Sequence, residues 1–255
     1  MPRITAKPAT RSHVPPLKVG IATTSNALHR LRYSGPLTRW MNFVQDVENN
    51  DKAQVWRKQT IRLEQKNNAF QDDHFQVGDE AGVQSRFTQH YGEELGRIFE
   101  AQGIDVLFSD FKSLGLGYEN TPDSALKTQG NELKAVGEIK VPWIKAHQPS
   151  RAYEYDDVLR RLLSQPIQYM QDLNCAYGFY TTYDETIFLR QVLVNGVWEI
   201  QYSPCVLAKY RYQETTPSTT PIVSVKQCFL YVATLARQQG PLAYNVAAPA
   251  WVETY

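Results

Sequence analysis

The chain has 255 residues, 42% of them hydrophobic and 21% charged, with a formal net charge of +1. A chain this long can bury about 70–75% of the surface its unfolded form exposes, so one sizeable core needs neither disulfides nor a structural metal. Three widely spaced cysteines (Cys175, Cys205, Cys228) fit neither a disulfide framework nor paired zinc knuckles, and are read as reduced, mostly buried thiols.

The near-neutral total hides an asymmetry. Up to Lys66, twelve Lys and Arg face four Asp and Glu; from Gln71 to Asp123, three basic residues face eleven acidic ones. A basic arm beside an acidic centre suits a chain that meets a polyanion with one part and a divalent cation with another.

In chain order, residues 1–35 carry Pro2, Pro8, Pro15 and Pro16 and no apolar period, which predicts an extended, partly disordered basic arm ahead of a single domain over 36–255. Pro36 opens a helical stripe through Leu37, Trp40, Met41, Val44 and Val47. The stretch to Asn68 is polar and gives no clear element. Val83, Phe87, Tyr91, Leu95, Ile98 and Phe99 predict helix from about 79 to 102, eased at Gly92 and stopped at Gly103. Three strands follow in "IDVLFSDFKSL", "DSALKT" and "ELKAVGEIKVPW", the last two joined by the turn "QGN". Helical spacing returns from Tyr155 to Met170, with Pro166 expected to kink or restart it. Strands in "YGFYTTY", "ETIFLRQVLV" and "VWEIQYSPCVLA" come next, the last two turned by Asn195-Gly196, and a final helix runs from Val225 toward Gly240. The plan is mixed α/β: helix, three strands, helix, strand, with an N-terminal helical arm and appended C-terminal strands and helix.

The chemistry gathers in "TPDSALKTQGNELKAVGEIKVPW". Asp123 opens the second strand, and Glu138 and Lys140, two apart on the third, share a face. One pairing of neighbouring strands then puts all three on one surface. Two carboxylates about 4 Å apart repel by roughly 4 kcal/mol at an effective dielectric near 20, unless a cation sits between them. Two carboxylates, the Ile139 carbonyl and waters suit Mg2+ or Mn2+. The plainer reading is a strand with both polar side chains in water and an aspartate opening a turn after Pro122. His74, His90 and His147 lack metal-ligand spacing and are assigned no chemistry.

Pro122-Asp123 followed by Glu138-Ile139-Lys140 resembles the PD-(D/E)xK nuclease superfamily of restriction-endonuclease-like folds. Gln165 and Tyr169 in "QPIQY" have the Q-x-x-x-Y spacing of its RecB-like branches, and "DEAGVQSRFTQHY" with "LLSQPIQYM" looks most like its fungal branch. The resemblance covers about residues 78–183. It implies a divalent-metal-dependent nuclease acting on DNA, less readily on RNA, with Asp123, Glu138 and Lys140 as catalytic residues. Glu80 would join Asp123, Glu138 and Ile139 around Mg2+ or Mn2+, with Glu93 or Glu94 as substitutes for Glu80. Gln165 and Tyr169, four apart on one helix face, would meet the nucleic-acid strand, with Arg160 and Arg161 on its phosphates. Glu80 in a first helical turn is also favourable through the helix dipole alone. The alternative is a catalytically inactive nuclease fold that binds nucleic acid or a protein. The first twenty residues lack the apolar core of a signal peptide and no run is long enough to span a bilayer, so an intracellular protein, cytoplasmic or nuclear and with no membrane partner, is expected.

Overall fold

The computed structural model describes residues 3–24, 28–62, 75–216, 219–242 and 251–254. The end of the polar stretch through Asn68, with Asp72, Asp73 and His74, lies outside the described residues.

Strands β1 (Leu37–Arg39), β2 (Leu107–Ser109), β3 (Ser124–Lys127), β4 (Leu133–Ile139), β5 (Tyr177–Thr181), β6 (Glu185–Val194), β7 (Val197–Tyr202) and β8 (Val206–Leu207) form one eight-stranded sheet in the order β1-β7-β6-β5-β4-β3-β2, with β8 beside the start of β6. The chain is therefore mixed α/β. β2, β3 and β4 form an antiparallel meander, while β4 and β5 run parallel. Parallel neighbours need a crossover, and helix α4 (Asp156–Asp172) supplies it. The C-terminal strands are no appendage: β6 and β7 extend the sheet antiparallel from β5. Asn195 and Gly196 turn β6 into β7 with φ of 51° and 79°, the doubly left-handed turn that Asn-Gly favours.

Both faces of the sheet are covered. Ala135 and Ile139 of β4 join a core with α2 (Glu80–Phe87), α3 (Glu93–Gln102), α1 (Phe43–Ala53) and α5 (Val225–Gln238), through Val83, Phe87, Leu95, Phe43 and Phe229. Val136, on the opposite face, joins Leu159, Leu163, Ile167 and Met170 of α4. Cover on both faces leaves β4 buried at every position after Leu133, Lys134 and Glu138 included. Gly137 is required where it stands: Phe179 of β5 lies across it, and a Cβ there would come within 2.0 Å of that ring.

Four expectations change. The first helix starts at Phe43, not at Pro36, because Leu37–Arg39 is drawn into the sheet beside β7; Asn42, at φ 62°, turns the chain into the helix and Met41 is left exposed. The basic arm is packed, not free. Arg3–Thr5 pairs with Thr60–Arg62, Ala6 and Ala9 are buried in the larger core, and Ser224 Oγ donates to Thr10 O at 2.5 Å. Pro166 does not restart α4, which is one helix through it, so of the two expected effects the restart is excluded. The roughly 3 kcal/mol a helical proline costs is opposed by the buried row Leu159, Leu162, Leu163, Ile167 and Met170 beneath. Finally, "IDVLFSDFKSL" gives only three strand residues before a 3-10 turn, Phe111–Leu114. Gly92 eases the long helix as expected, through a π turn over Thr88–Gly92 that joins α2 to α3, and Gly103 ends it at φ 68°.

Cys175, Cys205 and Cys228 are all unpaired. Among the described residues no helix is long and apolar enough to cross a membrane.

Candidate active site

The register of β3 against β4 pairs Ser124 with Gly137, so Asp123, one residue earlier, stands opposite Glu138. The pleat then puts Glu138 and Lys140 on the face that holds α4. Asp123 is clamped. Its Oδ2 accepts from the Ile139 N–H at 2.8 Å, and its Oδ1 accepts from Gln84 Nε2 of α2 at 2.8 Å. Helix α2 begins at Glu80, directed here by Asp79, which accepts from the Gly82 N–H at its N-cap. Its position brings Glu80 Oε1 to 3.2 Å from Lys140 Nζ, while the same ammonium lies 2.5 Å from Glu138 Oε1.

The electrostatics follow from burial. Glu138 is 1% exposed, and its close polar neighbours are Lys140, Asp123 and Tyr169, with Lys140 Nζ nearest at 2.5 Å. Burial, then the charge of Asp123, push Glu138 up to about 8, against the opposing pull of Lys140. Burial also raises Asp123, less so because the Ile139 N–H and Lys140 favour its charged form. For Lys140, burial alone would lower the pKa, but Glu138, Glu80 and Asp123 outweigh it and raise it.

Helix α4 contributes Gln165 and Tyr169, which share a face and touch each other, Gln165 Nε2 donating to Tyr169 Oη at 2.5 Å. The Tyr169 phenol is buried; burial and the charge of Glu138 raise its pKa, so it stays a neutral donor beside the carboxylates. Tyr118 packs edge-on against its ring.

His147 belongs to this neighbourhood and carried no sequence signal. It sits in the short turn Lys145–His147, is 3% exposed, and neither ring nitrogen makes a hydrogen bond of good geometry. Burial and then the charge of Lys140 lower its pKa, so the imidazole beside the site is held neutral. Its carbonyl accepts from Tyr180 Oη at 3.0 Å, and Tyr180 is the β5 residue paired with Glu138. Only proximity in the fold could have found it.

Other candidates have structural partners. Glu94 pairs with buried Lys226 at 2.7 Å and Glu93 with Arg97, so neither substitutes for Glu80. Arg160 bonds Asp156 and the Gly35 carbonyl and lies over the Tyr33 ring, where it fastens the Leu31–Tyr33 strand to α4. Arg161 pairs with Asp157 at 2.7 Å.

Among the described residues no three His, Cys, Asp or Glu side chains converge as a metal-binding group. The convergent set is two facing carboxylates with a lysine. That set fits a hard cation of the Mg2+ or Mn2+ type, which takes one or two carboxylates and keeps most of its waters. The burial of Glu138 opposite Asp123 is the observation that fits it: a cation there would offset the hydration the carboxylate has lost and its repulsion by Asp123.

No family model, curated protein or solved structure matches the chain.

Proposed function

We propose that this chain is a divalent-metal-dependent phosphodiesterase acting on nucleic acid, with DNA favoured over RNA. The observation that carries the reading is the facing of Asp123 and Glu138 across β3 and β4, with Lys140 reaching both Glu138 and Glu80. The order helix, three strands, crossover helix and parallel strand around that face supports it.

Asp123, Glu138 and the Ile139 carbonyl would hold Mg2+ or Mn2+. When bound, such an ion supplies Lewis-acid polarisation of a phosphodiester and a water of lowered pKa. Lys140, no longer needed to neutralise Glu138, would lean on Glu80 and position the attacking water or offset charge developing on the phosphate. Gln84 and the Ile139 N–H keep the Asp123 carboxylate aimed. Tyr169, oriented by Gln165, would donate to a phosphate oxygen of the strand being cut.

The test is cleavage of linear and circular DNA and of RNA by purified protein with Mg2+ or Mn2+. Activity that stops with chelator and is lost in Asp123→Ala and Lys140→Ala supports the proposal. No cleavage of any substrate with either ion overturns it.

A second reading has its own observation: Lys140 Nζ already lies 2.5 Å from Glu138 Oε1, where a cation would sit, as it would in a silent fold that only binds nucleic acid or a protein. Millimolar Mn2+ separates the two. A ligand that binds only the folded state raises the melting temperature, so an unchanged melt favours the silent fold.

A further inference from the structure

We propose that a notch at the C-terminal end of α3, remote from Glu138, is a binding site for a small phosphate-bearing anion. The notch is a cavity of about 320 Å³ lined by Gln54, Arg57, Gln102, Gly103, Thr234 and Arg237. Three segments build it: the stretch after α1, the end of α3 and the last turns of α5.

Two guanidinium groups meet at one glycine. Arg57 lies over Gly103 so closely that a Cβ there would stand 2.5 Å from both its Nη atoms, and Arg237 Nη1 donates to the Gly103 carbonyl at 3.3 Å. Among the described residues neither arginine pairs with a carboxylate. Both sit at the carbonyl end of α3, whose partial negative charge offsets part of their mutual repulsion, and an anion held between them would offset the rest.

The second observation is independent. Gln102 is 5% exposed, its Oε1 accepts from the Arg57 N–H at 3.3 Å, and its Nε2 is buried with no hydrogen-bond partner. The bond to Oε1 fixes which way round the amide stands, so the atom left over is a donor. Gln102 lines the notch together with Arg57 and Arg237, and no acidic side chain is among the lining residues; its Nε2, buried behind the wall, is a further donor without a partner. Guanidinium forks match phosphate oxygens, and such charge-assisted bonds are about twice as strong as neutral ones.

The volume selects the ligand. It falls at the low end of about 300–1,000 Å³ for small-molecule sites, room for a phosphate with a sugar but not for a duplex. Glu80 and Gln102 are at opposite ends of the α2 to α3 run, about 30 Å apart at the helical rise, so the notch does not depend on the phosphodiesterase reading.

Isothermal titration of the full chain with inorganic phosphate and with adenosine monophosphate, in chelator and without divalent metal, tests it. The expected result is saturable binding weakened about tenfold or more by Arg57→Ala or Arg237→Ala. Both are exposed, so the fold should survive. Binding should be unchanged by Lys58→Ala, an exposed neighbour, and by Lys140→Gln, measured well below its melting point. No binding overturns the proposal, as does equal loss in Lys58→Ala, which would mean diffuse attraction, or loss confined to Lys140→Gln, which would place the phosphate at the other site. Succinate binding as tightly as phosphate would reject the phosphate class.

Discussion

Lys140 Nζ bridges Glu138 Oε1 at 2.5 Å and Glu80 Oε1 at 3.2 Å, joining a carboxylate that is 1% exposed to one that is 40% exposed. The two halves of that bridge differ in worth. Removing one partner of a buried pair costs roughly 3–5 kcal/mol, while a pair with an exposed partner is worth about 0–1 kcal/mol. Above about pH 8, where Glu138 is ionised, Lys140→Met should therefore lower stability by up to several kcal/mol, limited by proton uptake at Glu138, and adding Glu138→Gln should recover most of the loss. Glu80→Gln alone should change little. Urea unfolding of the four proteins checks this; a double variant no more stable than Lys140→Met would contradict the buried pair.

The same burial makes the site pH-sensitive. Glu138 has its folded pKa raised from 4.5 to about 8, so the folded protein holds that proton more tightly than the unfolded chain does. The contribution is fully present below pH 4.5 and lost as pH rises through about 8. Without divalent metal, the melting temperature should fall from about pH 5 to about pH 8 through this group, and Glu138→Gln should flatten that fall. Millimolar Mn2+ should restore stability at the alkaline end, where Glu138 is ionised. A slope identical in Glu138→Gln and the parent would assign the effect to other groups.

The approach of Asp123 to Glu138 was legible in the sequence because strand period and one adjacent pairing are enough to align them. Asn195-Gly196 was legible because few residue pairs accept two left-handed positions. What escaped depends on contacts distant in sequence. Leu37–Arg39 has a helix-compatible pattern and becomes a strand only because β7 offers an open edge. The proline-rich N-terminus reads as free because its apolar residues, among them Ile4, Ala6, Ala9, Val14 and Leu17, follow no period, yet small residues let a short helix sit against α3 and α5. Glu80 was chosen over Glu93 and Glu94 by motif, and the fold gives the reason: it alone starts the helix that points at Lys140. His147 is passed over because it has no metal-ligand spacing, while what places it by the site is the turn Lys145–His147, which brings it back to Lys140, Glu80 and Tyr180.

At the acid end a different glutamate governs. Glu48 of α1 is buried among the Thr215 N–H (2.9 Å), Thr215 Oγ1 (2.5 Å), Tyr212 Oη (3.0 Å) and Lys52 Nζ (3.2 Å). Burial pushes its pKa up, but the two Thr215 bonds, Lys52 and Tyr212 outweigh that and draw it down to about 2. With the folded value below the unfolded one, the stabilisation is present above pH 4.5 and lost as pH falls toward 2. Thr215→Val should remove about 1.5–3 kcal/mol, the worth of a hydrogen bond to a charged group, and move acid unfolding to higher pH. Circular dichroism across an acid titration measures the midpoint; an unmoved midpoint would show that Glu48 does not control it.

Gly137 links packing to the site most directly, since it precedes Glu138 and has the Phe179 ring where a side chain would be. Phe179 is itself packed against Phe87 and Phe229, so the ring has little room to yield. Gly137→Ala should cost about 1–3 kcal/mol or more through overpacking. Because the clash falls on the strand that carries Glu138, it should also reduce any phosphodiesterase activity beyond what the lost stability explains. Phe179→Leu, which removes the far side of the ring, should restore much of both in the double variant while being destabilising alone. Recovery of stability without recovery of activity would show that the position of Glu138 depends on the ring as well as on the space beneath it.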